Sequence, residues 1–366
     1  MSYKNKKILI TTGGTGGHIF PAYSLAKHLI KKNFLVEIMT DKRGLKYLEK
    51  FKELKIILNN SASIYKGNRL NKILSFFIIV FSFLKSLLIL LKKKPSLVFG
   101  MGGYSSFPVC MAAKVLRIPF IIYENNLLLG KSNKYLLPFA YKLFVAYPEL
   151  EGIGSKYKKK LVKVGNIIRE EILNHKIKKN QNPINESIAI LILGGSQAAK
   201  IFGEQLPLVF EKCVLNNLNI KLYQQCVPSQ NDKLNRLYKS LNIEFELFNF
   251  TDNIINYFSK TDLAITRSGA SIIAELLNCK IPFVAIPYPH AAENHQEKNA
   301  IYFKNKGYNF LINEKEISSE LFPLIKEIYK DKKILKEISD KQNIHSDKKV
   351  FEKIDSEILN IFNDWH

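Results

Sequence analysis

The sequence predicts an α/β protein built from two doubly wound domains, parallel sheets wrapped by helices and facing each other across a cleft. Three observations point there. Short apolar runs alternate with helical patterns, the two halves of the chain open alike, and 366 residues exceed what one ordinary core holds. The runs of the first half are Ile8–Thr12, Leu35–Met39, Leu97–Phe99, Phe120–Tyr123 and Leu143–Ala146. Those of the second half are Ile188–Leu193, Ile220–Gln224, Leu263–Thr266 and Pro282–Ile286. Near-continuous apolar character is what strands covered on both faces need. KKILITTGGTGGHIFPAYSLAKHL and ESIAILILGGSQAAKIFGEQLPLVF each read as strand, glycine turn and amphipathic helix, and the polar stretch Lys176–Glu186 (KIKKNQNPINE) reads as a linker. The expected domains are 1–165 and 166–344. The tail from Lys315 is helical and charged, and its final helix, near 345–366, is expected to pack back on the first domain.

Hydrophobic content of 46% excludes a disordered chain. The net charge of +23 fits an anionic partner (nucleic acid, membrane surface or phosphorylated substrate) and equally fits a compositional bias toward Lys, Asn and Ile. Four scattered cysteines, with no CxxC pair, read as reduced thiols of a cytoplasmic protein. The opening MSYKNKKILITTGG reads as the approach to a first strand rather than as a targeting segment.

Ile73–Leu91 (ILSFFIIVFSFLKSLLILL) is apolar except for Lys85 and three serines. As a helix it would be roughly 28 Å long, near the thickness of a bilayer core. It could span a membrane, lie in a core, or lie along a membrane surface. Strand-like units on both sides of it argue against a span, because one crossing would separate strands of one sheet. Flanking Lys72 and Lys92–Lys94 suit an anionic membrane surface, with Phe77, Phe81 and Leu84 as the expected contacts.

A glycine-rich turn from strand into helix presents backbone N–H groups and the positive end of a helix, a setting for phosphate. Gly13–Gly17 is such a turn, but it lacks the third glycine of a dinucleotide fingerprint and is no Walker loop. Gly100–Ser106 (GMGGYSS) is a second, and Gly194–Gln197 (GGSQ) a third, so more than one phosphorylated ligand is implied. His18, directly after the first turn, suits a general base and equally suits a helix-start residue bonded to backbone or phosphate. In TRSGASIIAELL, Ser268 is expected to cap a helix. Glu275 two turns on could hold both hydroxyls of a ribose or simply face solvent. Pro287–Ala300 (PYPHAAENHQEKNA) concentrates hydrogen-bonding groups, and His290 with His295 finds no third ligand at metal spacing. No Asp-x-Asp pair occurs, so no metal and no cofactor are expected.

GGTGGHIFPA, GMGGYSSFP, Tyr123–Lys134 (YENN…SNK), Gly165–Arg169 (GNIIR), GGSQAA, RSGA…E and ENHQEKNA, in this order, resemble the MurG family of undecaprenyl-diphospho-muramoylpentapeptide N-acetylglucosaminyltransferases. The resemblance implies a GT-B fold and an inverting, metal-independent transfer from UDP-GlcNAc, a substrate rather than a cofactor, to the muramoyl 4-hydroxyl of lipid I. It implies a peripheral enzyme on the cytoplasmic face of the inner membrane, with other cell-wall synthesis proteins as partners and no nucleic acid. By position, Ser196 and Gln197 would meet the donor diphosphate with Arg169 beside it. Phe250 and Thr251 would border uracil, Glu275 would hold the ribose, and His295 and Gln296 would reach the GlcNAc. Thr15, Gly16, Gly17, Gly102, Gly103 and Tyr104 would form the acceptor diphosphate site, completed by Asn126 and Asn133. His18 would be the base, with Glu124 in reserve. Diacylglycerol glycosyltransferases and UDP-GlcNAc 2-epimerases are the competing enzymatic readings, and a non-enzymatic membrane scaffold would leave the glycine turns unexplained. Four positions depart from the family's usual residues: Ile167 for proline, Phe107 and Ala198 for glycine, and Tyr123 for histidine. Ala198 is expected to narrow the diphosphate pocket and Phe107 to restrict the acceptor loop.

Overall fold

A computed structural model describes residues 6–14, 16–59, 69–175, 187–195, 199–251 and 253–364, the side chains of 69–72 excepted. Thr15, the expected linker 176–186, and Ser196, Gln197 and Ala198 therefore lie outside the described residues. The chain divides into two units, Met1–Arg169 with Asp347–His366, and Glu170–Ser346.

In the first unit the strands are β1 (Lys7–Thr11), β2 (Leu35–Thr40), β3 (Lys55–Leu58), β4 (Leu97–Gly100), β5 (Phe120–Glu124), β6 (Lys142–Val145) and β7 (Leu161–Lys163). They form one parallel sheet of order β3-β2-β1-β4-β5-β6-β7. Helices α1 (Gly16–Lys31), α2 (Lys42–Leu48), α3 (Arg69–Lys93), α4 (Ser106–Val115) and α5 (Lys131–Leu136) connect them. The second unit contains helix α6 (Glu170–Asn174) and then strands β8 (Ser187–Leu193), β9 (Asn219–Gln225), β10 (Glu244–Phe248), β11 (Leu263–Thr266), β12 (Phe283–Ala285) and β13 (Phe310–Leu311). Their order, β10-β9-β8-β11-β12-β13, repeats that of the first unit, again all parallel. Its remaining helices are α7 (Lys200–Leu215), α8 (Asn231–Ser240), α9 (Ile254–Phe258), α10 (Ala270–Asn278), α11 (His295–Asn305), α12 (Ile317–Lys330) and α13 (Lys333–Gln342). The last helix, α14 (Val350–Asp364), belongs to the first unit, where Asp355 accepts from His28 Nε2 at 2.8 Å and Lys6 sits over the Phe362 ring.

Each sheet reverses its winding between its first and fourth strands, β1 and β4 in one unit, β8 and β11 in the other. In open parallel sheets the carboxyl ends of such a strand pair form the ligand crevice. All the glycine turns follow these strands.

Helix α3 is turned with its serines inward. Ser75, Ser82 and Ser86 are buried, while Phe77, Phe81 and Leu84 are 62%, 65% and 52% exposed. Buried Asn59 explains the choice: its amide donates to Ser86 Oγ at 2.8 Å and to the Ser82 carbonyl at 3.3 Å. Ser86 Oγ in turn donates to the Ser82 carbonyl at 2.7 Å, and Lys85 Nζ donates to the Leu58 carbonyl at 2.8 Å. A polar seam thus fastens the helix to the sheet and leaves its apolar face outside. Ile73–Lys93 is long and apolar enough to cross a membrane. A crossing would put its ends on opposite sides, whereas β3 and β4 on either side of it share one sheet.

Candidate active site

The first two glycine turns meet around His18. Gly102 and Gly103 both carry positive φ (88° and 75°), and a Cβ at Gly102 would stand 3.0 Å from His18 Cε1 and 3.1 Å from Nδ1. Glycine is therefore required twice over, for conformation and for the approach of the imidazole. The His18 carbonyl accepts from Thr12 Oγ1 at 3.0 Å, which holds the start of α1 against the end of β1. Ser106 Oγ donates to the carbonyls of Thr11 and Gly102, at 3.0 and 2.7 Å, and ties the second turn to the first strand.

Pro21 contributes through what it lacks. It has no N–H to give the carbonyl four residues back, which is that of Gly17. Asn125 Nδ2 donates to that carbonyl instead, at 3.2 Å, and so joins the segment after β5 to the helix start.

Glu124, at the end of β5, is buried and saturated. Its Oε1 accepts from the Asn126 N–H (3.2 Å) and Nδ2 (3.0 Å), and its Oε2 from the Gly130 N–H (3.0 Å) and Asn133 Nδ2 (2.9 Å). Asn133 is itself buried, and its amide also donates to the Tyr123 carbonyl at 2.9 Å. Glu124 and both asparagines thus build the floor under the loop. Gly16 and Gly17 open α1, and Tyr104 is half-buried beside Gly103. Phe107, on the first turn of α4, packs against the apolar core of this unit.

Two of the family departures are coupled. Ile167 has the backbone N–H that proline would lack, and it donates to the Tyr123 hydroxyl at 2.9 Å. That hydroxyl donates to the Gly165 carbonyl at 3.2 Å. Burial, with the negative charges of Asp347 and Glu124 nearby, pushes the Tyr123 phenol far up, so it stays a neutral donor. The next residue, Asn166, gives its N–H to Asp347 Oδ1 at 2.8 Å. The Gly165–Arg169 segment, which ends in half-buried Arg169, is anchored in the first unit on both sides.

In the second unit, Gly195 (φ 81°) begins the third turn, and the Gly194 N–H donates to Gln225 Oε1 at 3.2 Å. Gln225 Nε2 reaches the Asn249 carbonyl at 3.3 Å, which links this turn to exposed Phe250 and half-buried Thr251. Glu275 is 6% exposed on α10, a placement that removes the solvent-facing alternative. Ser268 does not cap α10: Gly269 occupies the cap position and the Ser268 hydroxyl is buried without a partner among the described residues. The extra residue between them turns the hydroxyl away from the helix N–H groups. The Ser268 carbonyl accepts from buried Asn299 at 3.1 Å, which brings α11 to the start of α10. His295 and Gln296 open α11, Gln296 Oε1 accepting from the Tyr288 N–H at 2.9 Å and His295 Nδ1 bonding the Ala292 carbonyl at 2.7 Å. Among the described residues no group of three or more His, Cys, Asp or Glu could hold a metal.

Two units of the doubly wound order, each with its glycine turns at the winding reversal, define a GT-B fold. The Acinetobacter baumannii MurG crystal structure superposes with a TM-score of 0.79 over 97% of this chain and 99% of that one, at 24% identity. A Staphylococcus aureus MnaA–UDP structure gives 0.69 at 17% identity.

The chain belongs to the MurG family within glycosyltransferase family 28. The family 28 N-terminal domain matches residues 8–145 and the C-terminal domain residues 189–354. A UDP-N-acetylglucosamine–N-acetylmuramyl-(pentapeptide) pyrophosphoryl-undecaprenol N-acetylglucosamine transferase of Pelagibacter ubique is 39% identical, covering 86% of this chain and 87% of that protein. Its counterpart in Rickettsia bellii is 35% identical, covering 91% and 94%.

Proposed function

We propose that the protein transfers N-acetylglucosamine from UDP-GlcNAc to the muramoyl 4-hydroxyl of lipid I, with inversion, forming lipid II and UDP. The observation that carries this reading is the convergence of two glycine turns on His18, in a chain whose curated relatives bear that activity in their names. A single displacement needs a base at the attacking hydroxyl and charge stabilisation on the leaving diphosphate. His18 takes the proton. Glu124 serves as a buttress, because its two oxygens are already filled by four donors. Arg169, the third glycine turn with Ser196 and Gln197, Glu275, and His295 with Gln296 serve the donor, and Phe250 and Thr251 border its base. The reaction runs without a metal. Labelled UDP-GlcNAc incubated with a short-chain lipid I analogue and a chelator should give labelled lipid II. No product in chelator, restored by added divalent ion, defeats the metal-free mechanism. UDP-N-acetylmannosamine formed without acceptor would mark an epimerase instead.

The same reading places the enzyme on the cytoplasmic face of the inner membrane, where lipid I is held by its polyprenyl tail. The outward aromatic face of α3, ending in exposed Lys92 and Lys94, suits an anionic leaflet. Replacing Phe77, Phe81 and Leu84 together with serine removes about 3 kcal/mol of apolar transfer, roughly a hundredfold in partition. Sedimentation with anionic liposomes should show that loss while activity on a soluble acceptor persists. Undiminished binding would move the contact off α3.

A further inference from the structure

Asp41, directly after β2, is buried, yet its carboxylate gathers donors from separate segments of the first unit. Oδ1 accepts from the Gly14 N–H (3.3 Å) and from the Gly44 N–H at the cap of α2 (2.9 Å). Oδ2 accepts from Ser105 Oγ (3.2 Å) and from Arg43 Nε and Nη2 (3.1 and 2.7 Å). Burial alone would raise the carboxyl's pKa, but these backbone and guanidinium contacts outweigh it and hold the group below its ordinary value. Capping α2 needs only the Gly44 bond. The rest clamps the first glycine turn to the second and fixes the guanidinium by two of its N–H edges.

The Arg43 side chain nevertheless remains 59% exposed, and its Nη2 lies 3.9 Å from where a Cβ of Gly14 would be. Gly14 has already given its N–H to Asp41. A phosphate arriving at this turn therefore cannot use that N–H, and a cationic side chain beside it can add to what the start of α1 supplies. A guanidinium held in one plane, with N–H groups left over on an exposed side chain, can match two neighbouring phosphate oxygens.

We propose that Arg43 is the side-chain cation that receives the acceptor's diphosphate and that Asp41 is the positioning residue that aims it. The inference rests on the transfer reaction proposed above. It is tested by initial-rate kinetics on the full-length protein with UDP-GlcNAc, a short-chain lipid I analogue and inorganic pyrophosphate as inhibitor. Arg43→Ala should raise the acceptor KM about tenfold or more and leave the UDP-GlcNAc KM unchanged. Inhibition by pyrophosphate competing with the acceptor should weaken by a similar factor. Arg43→Lys should recover part of the loss, since charge survives while the fork does not. Asp41→Asn should raise the acceptor KM in the same selective way, with the guanidinium no longer held by two bonds. Unchanged acceptor KM and pyrophosphate inhibition in Arg43→Ala overturn the proposal. So does an equal rise in both substrates' KM, or a loss matched by a lowered Tm, because either reports general damage. A wild-type protein that transfers no sugar removes the underlying reaction, a result distinct from transfer that ignores Arg43.

Discussion

Replacing His18 with alanine should lower turnover by about two to four orders of magnitude, or roughly 3–5 kcal/mol of transition-state stabilisation, while UDP affinity is retained. The imidazole lies against Gly102 and Gly103, and UDP is assigned to residues of the second unit and to Arg169, none of them His18, so the truncation should be felt in kcat. His18→Asn keeps a hydrogen-bonding side chain of similar reach and removes the base. If it restores turnover to within about tenfold of wild type, His18 is a structural or phosphate-binding residue and loses the proton-transfer role. Glu124→Gln offers the complementary measurement. As a buttress, Glu124 keeps two of its four donors as glutamine, those on the remaining oxygen, and loses the two that face the amide, so acceptor KM should rise more than kcat falls. A kcat collapse in Glu124→Gln with His18→Ala spared would exchange the two roles.

The glycine turns of the candidate site are legible in the sequence, because their determinants are local. A glycine turn between an apolar run and a helix is a sequence-adjacent signal, and the strands that lead into the turns are buried over most of their length and hence mostly apolar. The strands that the apolar runs did not reveal, β3, β7, β10 and β13, are the four edges of the two sheets. An edge strand has one neighbour and a partly solvated flank, so charges enter it, as in Glu244-Phe245-Glu246, and the pattern loses its contrast. The clamp at Asp41 was equally hidden, for a different reason. Asp41 has near partners in Arg43 and Gly44, whereas its distant ones, Gly14 and Ser105, lie 27 and 64 residues away. The inward serines of α3 depend on Asn59, which no helical periodicity announces. Ile167 and Tyr123 stand 44 residues apart in the sequence, and only the structure brings them into hydrogen-bond contact.

Glu275 yields the second large effect, on donor binding rather than on turnover. Its carboxylate is 6% exposed on a helix whose neighbouring Ile273, Ala274, Leu276 and Leu277 are buried. Burial takes Glu275 off the solvent face, and the role we propose for it is to hold the donor ribose. Two carboxylate oxygens match the two hydroxyls of a ribose, and hydrogen bonds to a charged group each contribute about 1.5–3 kcal/mol. Glu275→Ala should then weaken UDP binding by about tenfold to several hundredfold in calorimetry, and Glu275→Gln by less, since one acceptor oxygen survives. The decisive comparison uses 2′,3′-dideoxy-UDP. Wild-type protein should bind it as weakly as Glu275→Ala binds UDP, and Glu275→Ala should bind UDP and the dideoxy analogue alike, since neither complex retains the carboxylate–diol pair. If wild type binds both nucleotides equally, the ribose is held elsewhere and the burial of Glu275 is structural. If Glu275→Ala still discriminates between them, a second group shares the diol, and the polar residues at the start of α11 are the place to seek it.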